Sequence, residues 1–455
     1  MSRDHYLPCN ERYEVGKNMR KTCPRSSHAQ WESPKDRPDP VDLIIESNND
    51  RIPKLIPLRH GRMGVSPFTF YRGAALNMAS DLAGTPVTGM HVQACGDAHL
   101  CNFGAFATPE RNVIFSINDL DETLPAPWEW DVKRLAASFI VASRNNNLND
   151  TVARETALEC VRSYRENMMI FSEMKTMELW HYALGPDQLV SKLKDPELKR
   201  RGLKRLEKEK ARSIAEEIFP QIAKGAGNSR FIKDQLPSIF HWESHSPGEV
   251  VQETKDAFEL YKESLPPGFN HLLNRYELKD MVIKVVGVGS VGTLCWVLLL
   301  MTGDGDPLFL QVKEARKSVL EAYAGKSIYP NSGQRIVYGY RLMQPFSDPF
   351  LGWTAGKGGR HFFFRQLRDI KISMKVETFG KKEMKIFADW CGRALALSHA
   401  RSGDAAMLSG YMGKSDAFDQ AIAKFSIAYA AQNDKDYTSF KRAIKSGRIE
   451  AEYEE

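Results

Sequence analysis

The stretch CGDAHLCNFGAF, residues 95–106, brings a carboxylate, an imidazole, a carboxamide and two thiols within a few positions. Asp97 and Asn102 stand five residues apart, and the acid-rich INDLDE, with Asp119 and Asp121, follows after a short hairpin-like connection. Phosphoryl transfer from ATP uses such a set: one carboxylate to orient the attacking hydroxyl and accept its proton, and a carboxamide and further acids to hold Mg²⁺. The same residues admit plainer readings. Asp97 and Asn102 suit a tight turn. Cys95, His99 and Cys101 suggest zinc, but no second ligand pair follows. A cysteine nucleophile lacks a marked partner.

A second group lies about 190 residues further on. Gly287-Val288-Gly289-Ser290-Val291-Gly292 is a GxGxxG, a pattern shared by dinucleotide folds, kinases and simple turns. A dinucleotide fold needs a helix opening at the third glycine and an acid about twenty residues on. Here a short apolar run leads from Gly292 into the turn TGDGDP, which favours a hairpin. The next strand, LFLQVKEA, carries Lys313, similar in placement to a strand lysine that contacts nucleotide phosphates. Glu314 and Glu321 are its candidate ion-pair partners.

The elements around these groups follow from pattern. Ser66-Pro67 starts a helix that runs to Gly84. VTGMHVQACGD and RNVIFSINDLDE read as β segments flanking the motif. WEWDVKRLAASFIVASRNN is an amphipathic helix. Residues 152–275 are helical, the charged PELKRRGLKRLEKEKARS being a solvated face. From 281 the chain turns to strands, including RIVYGYRLMQPF and HFFFRQLRD, and the last hundred residues return to helix.

Composition bounds the rest. The 455 residues are 42% hydrophobic and 26% charged, ordinary for a globular protein. A net charge of +6 without a basic block gives no argument for nucleic acid, and no nucleic-acid or membrane partner is expected. Seven scattered cysteines without CxxC spacing speak against a disulfide framework and fit a reducing cytoplasm. The longest apolar run, VGTLCWVLLLM, is short of the roughly 20 residues a membrane span needs.

With these residues in view, CGDAHLCNFG resembles the HGDxHxxN loop of aminoglycoside and choline phosphotransferases, INDLDE their IDFxD, and PWEWDVKRLAAS their PxxDLA. The resemblance implies a catalytic base at Asp97, metal ligands at Asn102 and Asp119 with Asp121 as an extra one, and a loop-bracing acid at Asp131. Cys95 replaces the usual His, and Leu120 the usual aromatic. In those enzymes the glycine loop and lysine come first, so this order implies a circular permutation. HARSGD with Asp404 is a rival loop in ordinary order, but Ser409 stands where the asparagine is needed. Across about residues 50–450, including RHGRMGVSPFTFYRGAA, VVGVGSVGT and FFFRQLRD, the chain is also similar to the bacterial domain-of-unknown-function family 2252.

The expected fold is α+β, a two-lobe kinase-like arrangement in permuted order. It divides into a flexible leader (1–40), a catalytic-loop part (41–150), a helical part (151–275), a β-rich nucleotide lobe (276–368) and a helical remainder (369–455). The expected function is an ATP- and Mg²⁺-dependent phosphotransferase acting on a hydroxyl, with a non-catalytic nucleotide binder, an AMP transferase and an oxidoreductase as rivals. Gly287, Gly289, Gly292 and Lys313 would hold the phosphates, and Gln366 and Leu367 would meet adenine at a hinge. Arg59, Arg62 and Arg72 are candidates for substrate or phosphate, and His99 for bracing the loop.

Overall fold

A computed structural model of the protein describes residues 6–191, 193, 195–210, 223–224, 230–241, 247–285, 287–356, 358–367, 371–372 and 374–454. Strands β1 (His91–Ala94) and β4 (Leu124–Pro127) pair antiparallel around the first motif. Between them, β2 (Phe103–Ala107) pairs with β3 (Val113–Ile117) and, much later in the chain, with β13 (Lys371–Ile372). The short strands β5 (Ala223–Lys224) and β6 (Phe231–Ile232) form a separate pair.

The larger sheet has the order β11-β12-β10-β9-β8-β7, antiparallel throughout. Its strands are β7 (Ile239–Phe240), β8 (Glu277–Lys284), β9 (Cys295–Met301), β10 (Pro307–Ala315), β11 (Gly352–Ala355) and β12 (His361–Gln366). β9, CWVLLLM, is apolar at every position because both faces of the sheet are covered there. Trp296, Leu298 and Leu300 join one apolar cluster with Leu310, Val312 and Phe364, while Val297, Leu299 and Met301 join another with Phe309. The Pro247–Glu263 helix closes the first face, with Tyr261 stacked on Phe364 at 3.9 Å. Alternation along β10 leaves Gln311 and Lys313 on the opposite side from Leu310 and Val312.

A second body is helical. The helices Trp128–Asn145, Asp150–Glu173, Lys381–Ser402 and Ala417–Lys445 share one large core with β1–β4. Trp128–Asn145 begins directly after Pro127 and is buried at nearly every position, so it is the central element. An α+β fold is thus correct, and no helix among the described residues is long and apolar enough to cross a membrane. All seven cysteines are free thiols.

Four expectations change. Residues 152–275 are not helical throughout: β5, β6 and β7 lie among them, and β7 joins the larger sheet through β8. The leader is folded: Cys9–Asn18 is a helix lying so close to Ala405–Met412 that a Cβ on Gly16 would meet the Met407 carbonyl oxygen at 1.9 Å. Arg37 bridges the buried acids Asp81 and Asp436, so the charges that made the segment look self-solvating are spent on ion pairs. RIVYGYRLMQPF is not a strand: Asn331 caps the helix Ser332–Met343, whose buried Ile336, Val337, Tyr340 and Met343 follow helical spacing. The helix from Ser66 breaks at Ala74, because Arg59 takes the Gly73 carbonyl that would continue it.

Candidate active site

The first motif forms a braced loop at the end of β1. Gly96 has φ +81°, and a Cβ there would lie 2.5 Å from the Glu122 carbonyl oxygen, so glycine is required. Asp131, one turn into the central helix, accepts from the amides of Cys95 at 2.5 Å and Gly96 at 3.0 Å. Its carboxylate also meets His399 Nε2 at 3.1 Å, and His399 Nδ1 meets the Tyr164 hydroxyl at 2.9 Å. Asp131, His399 and Tyr164 are all buried. The loop is therefore fixed from beneath by a closed polar chain.

Asp97 faces the open side, with 21% of its side chain exposed. Arg134 clamps one oxygen, Oδ1, through Nε at 2.7 Å and through Nη2. His99 Nε2 stands 3.7 Å from Oδ2. Burial depresses the His99 imidazole to about 4 despite the opposing pull of Asp97, so this histidine is neutral. Asn102 donates to the Asp97 carbonyl at 2.8 Å, and its own carbonyl accepts from the Asn118 amide at 2.8 Å, which ties the loop to the INDLDE turn.

Lys313 meets this turn from the sheet. Its ammonium, on a side chain only 3% exposed, lies 3.5 Å from Asp119 Oδ1 and contacts Asp121 Oδ2. Neither Glu314 nor Glu321 is its partner: Glu314 accepts from the Leu294 amide, and Glu321 from the Ser318 amide. Burial works to lower the Lys313 pKa, and Asp119 and Asp121 more than reverse it. Asp121 is pushed up to about 7 by burial and by Asp119, against the pull of Lys313. Arg365 completes the contact by donating to Tyr340 Oη at 2.8 Å and to the Asn118 carbonyl at 3.3 Å.

One cavity of about 380 Å³ is lined by Asp97, Asn102, Asp119 and Asp121, and also by Gly289, Ser290 and Thr293 of the glycine turn. That turn joins β8 to β9 as a hairpin, with φ +66° at Gly287 and +87° at Gly292. No helix opens at Gly292, so the geometry of a dinucleotide loop is absent. A Cβ on Gly289 would stand 3.2 Å from the Arg72 carbonyl oxygen.

Other expected residues fall elsewhere. Gln366 and Leu367 are outside this cavity, and their amides are spent on Asp348 Oδ2 at 2.5 Å and the Phe309 carbonyl at 2.9 Å. Gln366 lines a separate cavity of about 120 Å³. Arg62 also lies outside, bound to the Gly287 carbonyl at 2.9 Å and to Glu454. Arg59 and Arg72 do line the cavity. Asp404 caps the Ala405–Met412 helix and pairs with Arg12 at 2.9 Å, so the rival loop is a helix cap.

A family model described as "Uncharacterized protein conserved in bacteria (DUF2252)" matches residues 51–443. The chain belongs to this family. None of the curated proteins and none of the solved structures compared with it matches. The DUF2252 region contains every residue that lines the cavity beyond Ser47 and Asn49, apart from Glu46 just before them.

The cavity's donor set bears on Mg²⁺. Among the described residues no three His, Cys, Asp or Glu side chains converge as a metal cage. Mg²⁺ does not need one, since it takes one or two carboxylates together with substrate phosphates and water. Asn102 has its carboxamide oxygen unspent by the bond from Nδ2, and Asp121 Oδ1 is buried without a hydrogen bond. These hard oxygens in the same wall as Asp119 fit the ion.

Two residues of this DUF2252 site escaped the reading of the sequence. Arg134 stands three positions after Asp131, so both point from one helix face to the loop, and that i, i+3 spacing was a usable signal. His399 lies 268 residues from Asp131, and no local pattern marks it.

Proposed function

We propose that this DUF2252 chain is an ATP- and Mg²⁺-dependent phosphotransferase acting on a hydroxyl group, built on a circularly permuted two-lobe, kinase-like fold. The observation that carries the reading is the ion pair of Lys313 with Asp119 and Asp121. Residues 194 and 192 positions apart meet where a glycine hairpin and Asp97 share one cavity. A hairpin glycine turn, a lysine on the following strand and a carboxylate–carboxamide loop are the parts that phosphoryl transfer needs.

Permutation is supported by a second contact. The end of the Lys381–Ser402 helix abuts β1: Ser402 Oγ accepts from the Gln93 amide at 3.2 Å, and a Cβ on Gly403 would lie 2.7 Å from the Val92 side chain. In unpermuted order that helix would run straight into the strand that leads to Asp97.

In this reading the glycine turn covers the phosphates and Lys313 holds them, released in part from the two aspartates. Asn102, Asp119 and Asp121 would hold Mg²⁺, which would neutralise the triphosphate charge. Asp97 Oδ2 accepts the proton of the acceptor hydroxyl as its oxygen bonds to the γ-phosphorus and ADP leaves. Arg134 fixes the other oxygen, so the base does not rotate.

The test is transfer from γ-labelled and α-labelled ATP with Mg²⁺, alongside thermal shift. MgATP should stabilise the protein, and Asp97→Asn should keep that shift while cutting γ-label turnover about 10²–10⁴-fold. Transfer of α-label would make it an AMP transferase, and binding without turnover a non-catalytic binder. Stabilisation by NAD(P)H alone would end the kinase reading.

A further inference from the structure

One end of the cavity gathers three arginines that are bound to the backbone and to a carboxamide and to no carboxylate. Arg51, Arg59 and Arg316 all line it and converge on the turn at residues 47–49. Arg51 Nε and Arg316 Nη1 both donate to the Ser47 carbonyl, at 2.9 and 3.4 Å, and Arg59 Nη1 donates to Asn48 Oδ1 at 2.6 Å. Among the described residues no carboxylate forms an ion pair with any of the three. Glu122 and Glu314, the acids whose charge reaches Arg51, have carboxylates that accept from the amides of Val319 and Leu294.

A plainer role, tying down a turn through its carbonyls, accounts for only part of this. Arg59 is 1% exposed, and its Nε is buried with no hydrogen bond. Two guanidinium nitrogens of Arg51 are spent on carbonyls, Ser47 and Val291, which leaves Nη2, and Arg316 spends Nη1 and Nη2 on the Ser47 and Asn49 carbonyls, which leaves Nε. Arg59 is buried and Arg51 and Arg316 are half-buried, and cations that repel one another in such a wall are favoured by an anion that joins them. Their mutual effect is visible: burial, and then Arg316, lowers the Arg51 pKa to about 9. Arg51 also holds the glycine turn through the Val291 carbonyl, and the Ile52 amide donates to the Gly292 carbonyl at 2.8 Å, so the cluster adjoins that turn.

We propose that Arg51, Arg59 and Arg316 form a phosphate-binding subsite in the cavity lined by Asp97 and by the two aspartates that pair with Lys313. Arginine forks match tetrahedral oxyanions, and a cluster of three at a cavity wall, one of them fully buried, suits a dianion. The phosphate belongs either to the nucleotide tail or to an acceptor that already carries one. The inference deepens the phosphotransferase reading but does not share its test.

Isothermal titration of the full chain with inorganic phosphate and with pyrophosphate, at fixed ionic strength in chloride, reads the subsite directly. The wild type should bind pyrophosphate, and Arg316→Gln and Arg51→Gln should each weaken it about tenfold or more. Circular dichroism melting checks each fold, and either variant suffices. Absence of phosphate and pyrophosphate binding at millimolar concentration, or unchanged affinity in a folded variant, overturns the subsite. Displacement of pyrophosphate by MgATP assigns the subsite to the nucleotide tail, and simultaneous binding assigns it to the acceptor. A MgATP thermal shift without pyrophosphate binding sinks this inference alone, whereas pyrophosphate binding without any MgATP effect sinks the phosphotransferase reading alone.

Discussion

Replacing Lys313 by methionine removes the one cation that stands between Asp119 and Asp121 and keeps the buried volume nearly constant. Breaking a fully buried ion pair costs about 3–5 kcal/mol, because the partner charge is stranded. Here the lysine side chain is 3% exposed but the two aspartates are 31% and 25% exposed, so solvent relieves part of that. Asp121, already raised to about 7 by burial and by Asp119, can also take up a proton once Lys313 is gone. Both effects bring the expected loss to about 2 kcal/mol at neutral pH. The sign of its pH dependence follows: the protonated acid is favoured in the folded variant, so the loss grows from pH 6 to pH 8. Equilibrium urea denaturation followed by tryptophan fluorescence measures it. Adding Asp121→Asn to Lys313→Met removes the repulsion and should restore about 1 kcal/mol. A Lys313→Met protein as stable as the wild type, or two single losses that simply add, would refute the idea that these three residues form one coupled group.

Arg134→Met should free Asp97 Oδ1 and lower turnover about 10²-fold while leaving MgATP binding intact, which titration against steady-state kinetics resolves. His399→Phe should cost about 1–3 kcal/mol in urea denaturation, since Asp131 and the Tyr164 hydroxyl lose a buried partner. Gly96→Ala forces a Cβ to 2.5 Å from the Glu122 carbonyl oxygen at φ +81°, and a loss of about 2 kcal/mol or more should appear in the same assay. His28 is fully buried and held near 3 by burial and then by Lys133, so the unfolded chain binds a proton below pH 6.5 that the folded one refuses. Stability should fall with pH through that window by up to about 1.4 kcal/mol per unit, and His28→Phe should flatten the acid limb.

Local pattern carried much of the fold. The CWVLLLM run, the TGDGDP turn and LFLQVKEA are a hairpin because an all-apolar strand of seven residues followed by glycine and aspartate leaves little room for a crossover helix. Ser332–Met343 went the other way. Its Val, Tyr and Ile content favours strands, yet Asn331 accepts from the amides of Gly333 and Gln334, and the buried face against β12 repeats every three to four residues. The N-terminal forty residues defeat composition for a different reason. Arg12, Arg37 and His28 look solvated in sequence, and each finds its partner more than forty residues away, at Asp404, Asp81 and Tyr411.

The site divides along the same line. Asp97, Asn102 and Asp119 stand within a 23-residue window, and their spacing alone suggests a shared cavity. Lys313 is legible only as a buried polar residue in an apolar strand, and its partner is not: both nearby glutamates satisfy spacing, but they face backbone amides while Asp119 and Asp121 arrive from another body. The arginines are harder still. Arg59 and Arg72 drew notice by crowding before the loop, whereas Arg51 and Arg316, 265 positions apart, belong with Arg59 only because each donates into the turn at residues 47–49. A cluster of arginines without an ion pair is a property of assembled surfaces, so it enters only once the cavity is closed. That gives the arginine wall and the aspartate wall different standing under substitution. Losing Lys313 should strand acids and cost stability, whereas losing Arg316 should relieve repulsion, cost little stability and appear in anion affinity instead. Measuring both quantities on both variants tells the two walls apart, and equal stability losses would mean that Arg316 is a structural tie and not a ligand.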